Sequence, residues 1–187
     1  FKFVNNKKIL KMKLNLEKTK KKNISFVGLM GSGKSLIGKL LSNDLGLKHY
    51  DSDAYIEKTL KKSINDIFNQ NGENYFRKIE KDIVLSLLNN ENCIISLGGG
   101  AILDKQVRKV LKEKSYTIYL KTDIELIYER VKYSKKRPLI KNTNIKGKLI
   151  SLLNDRKKYY NDADLIINNS NEMKNVLTQI KESLQII

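Results

Sequence analysis

Gly28-Leu-Met-Gly-Ser-Gly-Lys34-Ser35 is the stretch on which the fold turns. It fills every fixed position of the pattern G-x-x-x-x-G-K-[ST], whose backbone N–H groups cradle phosphate oxygens. Ile24-Ser25-Phe26-Val27 precedes it as a short β-branched and aromatic strand, and Leu36-Ile37-Gly38-Lys39-Leu40-Leu41 follows with apolar residues at helical spacing. Gly28, Gly31 and Gly33 permit backbone angles that a Cβ would obstruct, so successive N–H groups can turn inward. The positive end of the following helix adds to that field. The pattern implies a bound nucleoside triphosphate, with Gly31, Ser32, Gly33, Lys34, Ser35 and Leu36 as candidate ATP contacts. Lys34 reaches the β- and γ-phosphates, and the Ser35 hydroxyl is placed to ligate Mg²⁺. A chance glycine turn is the bland alternative, and it leaves both flanks unexplained.

The 187 residues suffice for one domain with a real core, and 40% hydrophobic with 30% charged residues is ordinary globular composition. The net charge of +17 is not ordinary. Residues 1–22 carry nine lysines against the single Glu17, a net +8, and read as a disordered lysine-rich tail before a domain at 23–187. The other lysines fall mostly on predicted helix surfaces. No nucleic-acid module accompanies the charge, so no nucleic-acid partner is expected. A basic cleft attracting ATP and an anionic substrate explains part of it. Cys93 is alone and sits in a predicted strand, where it acts as a small core hydrophobe. His49, the one histidine, cannot build a histidine metal site and reads as structural. No run approaches the roughly 18 apolar residues of a membrane span, and neither a secretory nor an organellar leader pattern is evident. The expectations are a cytoplasmic monomer without a membrane partner.

From residue 24 onward, strand and helix signals alternate. Strands are predicted at 24–27, 47–50, 93–97, 116–120 and 165–167. Helical spacing covers 54–89, with breaks near Lys62 and at Gly72, then 103–112, a segment capped by Asp123, a helix running to Tyr160, and 172–184. Residues 135–148 are polar, basic and glycine-punctuated, and hold the only proline, Pro138. This alternation predicts an α/β fold: a three-layer α/β/α P-loop kinase architecture with a five-stranded parallel sheet and a mobile lid at about 135–148. Ligands in such folds collect at the carboxyl ends of the strands. Strand one ends in the phosphate loop, strand two in Asp51-Ser52-Asp53, and strand three in Gly98-Gly99-Gly100. Three polar motifs therefore converge on one rim.

Phosphoryl transfer needs a positioned donor and acceptor, with positive charge around the γ-phosphate. Asp51 and Asp53 are expected to alternate on an extended segment. Asp51 then serves the Mg²⁺ shell, directly or through water, and Asp53 faces the acceptor hydroxyl; a helix N-cap is the alternative for each. Arg77 lies one helical turn from both Glu73 and Glu80, a spacing that a surface ion pair also explains.

The set GLMGSGKS, DSD, YFRKIE, SLGGGA, RPLI, and Arg156 with Tyr159 or Tyr160 and Ala163-Asp164 closely resembles the shikimate kinases over about residues 23–185. The resemblance implies ATP-dependent phosphorylation of the 3-hydroxyl of shikimate, on the route to chorismate and aromatic amino acids. It implies that Asp53 binds the ring hydroxyls and accepts the proton, and that Arg77 and Arg156 clamp the carboxylate, with Glu80 orienting Arg77. Gly98, Gly99 and Gly100 bring backbone N–H groups to the substrate, Arg137 comes from the lid to the transferring phosphate, and Arg130 packs near the adenine. Lys34, Asp53 and Arg137 are the catalytic set by this reading. Planar guanidinium groups suit two-point carboxylate binding. Two departures stand out. Leu36 replaces the family's usual threonine, and the lid segment Lys141 to Lys148 is lysine-rich without acidic residues. A related kinase for gluconate or nucleosides, and a P-loop switch or nucleic-acid binder, remain as competing readings; acceptor-dependent ADP release separates them.

Overall fold

A computed structural model describes residues 21–134, 138–140, 144–169 and 173–184. Five strands form one sheet: β1 Asn23–Val27, β2 Lys48–Asp51, β3 Cys93–Ser96, β4 Ser115–Lys121 and β5 Leu165–Asn168. Their order is β2-β3-β1-β4-β5, and every pairing is parallel. Among the described residues seven helices cover it: α1 Lys34–Leu45, α2 Ser52–Leu60, α3 Ile64–Leu88, α4 Lys105–Lys114, α5 Ile124–Val131, α6 Ile145–Tyr160 and α7 Met173–Ser183.

Alternation along the strands builds two cores. Ile24, Phe26, Ile94, Ile118 and Leu120 face α1 and α7, where Ile37, Leu41, Val176 and Ile180 meet them. Val27, Cys93, Ile95, Leu97 and Tyr119 face the opposite layer, against Val84 and Leu88 of α3, Val107 and Leu111 of α4, and Tyr160 of α6. Cys93 is thus the buried core residue expected, its thiol pKa pushed up to about 11 by burial. The register puts Phe26, Ser96 and Asp51 level, so all three strands deliver their next residues over the same rim.

Several local expectations shift. Asp51 is the last residue of β2, and its carboxylate accepts the N–H of Ala54 at 3.0 Å, starting α2 at once. Asp53 therefore lies in the first helical turn rather than on an extended segment. At Gly72, φ 79° and ψ 172° interrupt α3, a backbone region essentially reserved for glycine. That is the break expected there. α4 starts at Lys105 rather than Leu103, because the Asp104 side chain accepts the N–H groups of Gln106 and Val107 at 2.8 and 3.0 Å. Asp123 holds the N-cap position of α5, but its side chain makes no capping hydrogen bond.

The segment expected as a lid through Lys148 becomes helix at Ile145. The Asn144 side chain accepts the Gly147 N–H at 3.1 Å, and Leu149 and Leu152 pack with Leu29 and Met30 of the phosphate loop. Residues 135–137 and 141–143, with Arg137 among them, lie outside the described residues, as do residues 1–20 of the expected tail. Lys21 and Lys22 already join the domain: the Lys21 ammonium donates to the Ser115 carbonyl at 3.1 Å, and the Lys22 N–H donates to the Lys114 carbonyl at 2.8 Å. No described helix is long and apolar enough to cross a membrane.

Candidate active site

The phosphate loop leaves β1 at the centre of the sheet, where crossovers diverge to either side, the usual place for a ligand in such a fold. Gly33 caps α1 at φ 94°, which an L side chain rarely adopts, and so opens the first helical turn toward the loop's hollow. The Lys34 ammonium is buried and donates to the carbonyls of Gly28 and Leu29, each at 2.9 Å. It folds back over its own loop.

Val131 and Ile127 of α5 press on Gly31, and Arg130 donates to the Gly31 carbonyl at 3.1 Å. This places Arg130 at the outer lip of the loop. Leu36 stands half exposed on the first turn of α1 and lines the same hollow. Ser32 is buried, and its hydroxyl has no hydrogen-bond partner among the described residues.

Asp51 does two jobs at once. One carboxylate oxygen caps α2, and the other accepts the hydroxyl of Ser35. Of the two expected alternatives, the helix cap is the one observed, and the same side chain stands beside Ser35 at the loop. Two oxygen donors held side by side beside a phosphate cradle suit a small hard divalent cation.

The glycine triplet is crowded by charge. A Cβ on Gly98 would lie 2.5 Å from an Asp53 carboxylate oxygen and 2.6 Å from one of Glu80; a Cβ on Gly100 would collide with the Arg77 guanidinium. At Gly99 a Cβ would meet the Gly28 carbonyl and the Met30 N–H at 3.2 Å, and Arg156 Nη1 at 3.5 Å. Each glycine thus makes room for a different neighbour. Ser52, between the two aspartates, accepts the N–H of Gly98 at 2.8 Å and ties the second motif to the third.

Arg77 is held on three nitrogens. Nε and Nη2 donate to one oxygen of Glu73 at 3.2 and 2.9 Å, and Nη1 donates to Glu80 at 2.5 Å. Of its five N–H donors, one on each terminal nitrogen is left over by this count. Glu80 is buried, which raises its carboxyl pKa, while Arg77 pulls the other way. Arg156 reaches the site from α6 and is only 2% exposed, with its Nε lacking a hydrogen-bond partner among the described residues.

These side chains line two adjoining clefts. One runs along the phosphate loop past Lys34, Ser35 and Asp51. The other is lined by Arg77, Glu80 and Arg156 together with Phe68, Phe76 and Leu139. Met30, Asp53 and Gly99 line both. Asp53 stands at the boundary.

The family model for shikimate kinase matches residues 30–185. The chain belongs to the shikimate kinase family. Shikimate kinase of Persephonella marina is 42% identical over 146 residues, 78% of this chain and 88% of that protein. A solved shikimate kinase from Acinetobacter baumannii, in complex with shikimate, superposes with TM-score 0.84 at 33% identity, covering 88% of this chain and 93% of that one. A gluconokinase from Sinorhizobium meliloti shares the fold, at TM-score 0.57 and 14% identity over 88% of this chain and 91% of its own. The fold is therefore shared with that gluconokinase, whereas the family match is to the shikimate enzymes.

The structure thus gathers Lys34, Ser35, Asp51, Asp53, Arg77, Glu80, the glycine triplet and Arg156 around one double cleft. Four of its supports escaped the sequence reading: Ser52 at the Gly98 N–H, Tyr160, whose hydroxyl donates to the Gly99 carbonyl, and Thr122 and Asn169, whose side chains reach the Ser32 carbonyl. Only Ser52 carried a signal, as the polar residue between two functional aspartates.

Proposed function

We propose that the two clefts are the halves of a single phosphotransfer site, with nucleotide on the phosphate loop and shikimate on the glycine rim. The activity is that of the family: ATP and shikimate give ADP and shikimate 3-phosphate. The observation supporting the allocation of residues is the wall that the clefts share. Asp53 lines both, so a hydroxyl beside it faces a phosphate on the loop.

Arg156 is a buried cation whose Nε lacks a partner among the described residues, and Arg77 keeps donors in hand. A carboxylate between them satisfies both, since ionised partners make the stronger hydrogen bonds. The ring hydroxyls then lie toward Asp53 and Glu80, whose oxygens crowd Gly98. In this arrangement Asp53 orients the reacting hydroxyl and receives its proton as the oxygen attacks the γ-phosphorus. The bond to the β-γ bridging oxygen breaks, and ADP leaves. Lys34 exchanges its loop carbonyls for β- and γ-phosphate oxygens and follows the charge as it moves toward the leaving group. Ser35 and Asp51 would hold Mg²⁺, which supplies charge neutralisation on the phosphates. Arg137 is proposed for the transferring phosphate by family resemblance alone, and Arg130, at the lip, for the adenine side. All of these groups belong to one chain, so a monomer is sufficient.

A coupled ADP-release assay with shikimate, gluconate and nucleosides as acceptors tests the reading. Turnover is expected with shikimate and not with the others. ADP release driven by gluconate or a nucleoside instead would overturn it.

A further inference from the structure

The ends of β4 and β5 hold the phosphate loop from behind. Asn169, immediately after β5, is buried, and its amide nitrogen donates to the Ser32 carbonyl oxygen at 2.5 Å. Thr122, immediately after β4, brings its hydroxyl to the same oxygen at 3.4 Å, a longer contact. The backbone N–H of Asn169 is itself tied to the Lys121 carbonyl at 2.7 Å, so the side chain springs from a fixed point. At 2.5 Å from a carbonyl oxygen only the nitrogen of the amide can face it, which settles the orientation of the Asn169 side chain.

The consequence follows from peptide geometry. The Ser32–Gly33 peptide is planar and trans, so its C=O and N–H point in opposite directions. Drawing the Ser32 carbonyl toward β4 and β5 sends the Gly33 N–H the other way, into the hollow of the loop. Asn169 Nδ2 lies 3.0 Å from where a Cβ of Gly33 would be, so it touches the residue whose donor it aims. The Ser32 hydroxyl has no partner among the described residues, so the hold on this peptide comes through its carbonyl.

We infer that Asn169 is a positioning residue for the triphosphate, acting through the Ser32 carbonyl to direct the Gly33 N–H at the phosphate chain. The inference rests on the phosphate loop being the nucleotide site, and it adds a residue from the far end of the sheet to that site. A donor fixed before the ligand arrives binds charge without reorganising. A purely architectural tie between β5 and the loop has a different signature: it changes stability and leaves the affinity for phosphate alone.

The test is titration calorimetry of ADP, of adenosine and of shikimate against wild type, Asn169→Asp and Asn169→Ala, with thermal melts of each. The alanine variant removes the donor without adding charge and decides the affinity; the aspartate variant is isosteric but also brings a negative charge behind the loop, so it is read for the melt. ADP affinity is expected to fall about ten-fold, the size of one hydrogen bond to a charged group. Adenosine and shikimate affinities should hold, because neither meets the Gly33 N–H. Unchanged ADP affinity in a folded variant, or equal losses for ADP and adenosine, overturns the inference. Lys34→Ala serves as the control on the underlying reading. If it too binds ADP normally, the loop is not the nucleotide site; if it alone loses ADP, the loop stands and the role of Asn169 falls.

Discussion

The phenol of Tyr160 donates to the carbonyl oxygen of Gly99 at 2.6 Å, so the last turn of α6 holds the middle glycine of the rim. Tyr160 is fully buried and stacks on Tyr119 with centroids 5.0 Å apart. Burial drives its pKa far upward while Arg156, one turn earlier on the same helix, opposes, so the hydroxyl stays a donor at any physiological pH. One side chain therefore sets the height of the glycine loop and braces the buried guanidinium beside it.

Tyr160→Phe keeps the ring and deletes the oxygen. The Gly99 carbonyl loses its partner, at a cost of about 1–3 kcal/mol. The variant should melt at a lower temperature and show a raised KM for shikimate, with the KM for ATP close to wild type. Steady-state kinetics varying each substrate in turn would decide it. A folded variant with both KM values unchanged would leave Tyr160 a packing residue only.

Lys34→Ala removes the charge that bridges the loop carbonyls in this structure. The same charge is placed to follow electron density during transfer. Turnover should fall by on the order of 10²-fold or more, as for loss of one preorganised donor. Shikimate affinity should survive, because Lys34 lines the phosphate-loop cleft and not the other. Near-normal turnover in a folded variant would remove Lys34 from the chemistry.

Arg77→Lys and Arg156→Lys keep a positive charge and lose the planar fork. Lysine has no means of holding Glu73 through two nitrogens and Glu80 through a third, as Arg77 does. Both variants should bind shikimate more weakly by roughly 1.5–3 kcal/mol, the range for hydrogen bonds to charged groups, with ATP affinity largely intact. Calorimetric titration of each ligand checks the split. Loss of ATP binding with shikimate affinity retained would mean that the two clefts are assigned the wrong way round.

The strands, the phosphate loop and the three-motif rim were legible because each rests on neighbours in sequence. The short strand runs at 24–27, 47–50 and 93–97 each end in a glycine or aspartate motif, and the parallel register then aligns those ends. Where α2 begins was not legible, since two aspartates at a strand end do not say which one caps the helix; only the Asp51 contact with Ala54 decides that. The supports of the site were hidden for another reason. Ser52 meets Gly98 across 46 residues, Tyr160 meets Gly99 across 61, and Asn169 meets Ser32 across 137. A hydroxyl or an amide advertises capacity for a hydrogen bond but not its partner, and these partners are set by sheet order.

His49 offers a pH measurement that one substitution isolates, because the chain has a single histidine. The ring Nε2 lies 3.0 Å from the Ser96 hydroxyl, which donates onward to the backbone carbonyl of Lys34 at 3.0 Å. With its own proton committed, the hydroxyl accepts from Nε2–H, which both the neutral and the charged ring provide. Burial lowers the His49 pKa below 6.5; Asp51 resists that shift, and Lys39 adds to it. In the unfolded chain the ring protonates near 6.5, so between that value and the lower folded one the unfolded state binds more protons. Stability from this group is therefore complete above pH 6.5 and is lost as pH falls through the folded pKa. His49→Gln cannot titrate. It should melt below wild type at pH 7.5 through imperfect replacement of the Ser96 contact, and the gap should narrow as the buffer is taken to pH 5.5. Carboxylate titrations are common to both proteins and cancel in the difference. A gap that stays constant or widens on acidification would show that burial does not hold the His49 ring neutral beneath the phosphate-loop helix.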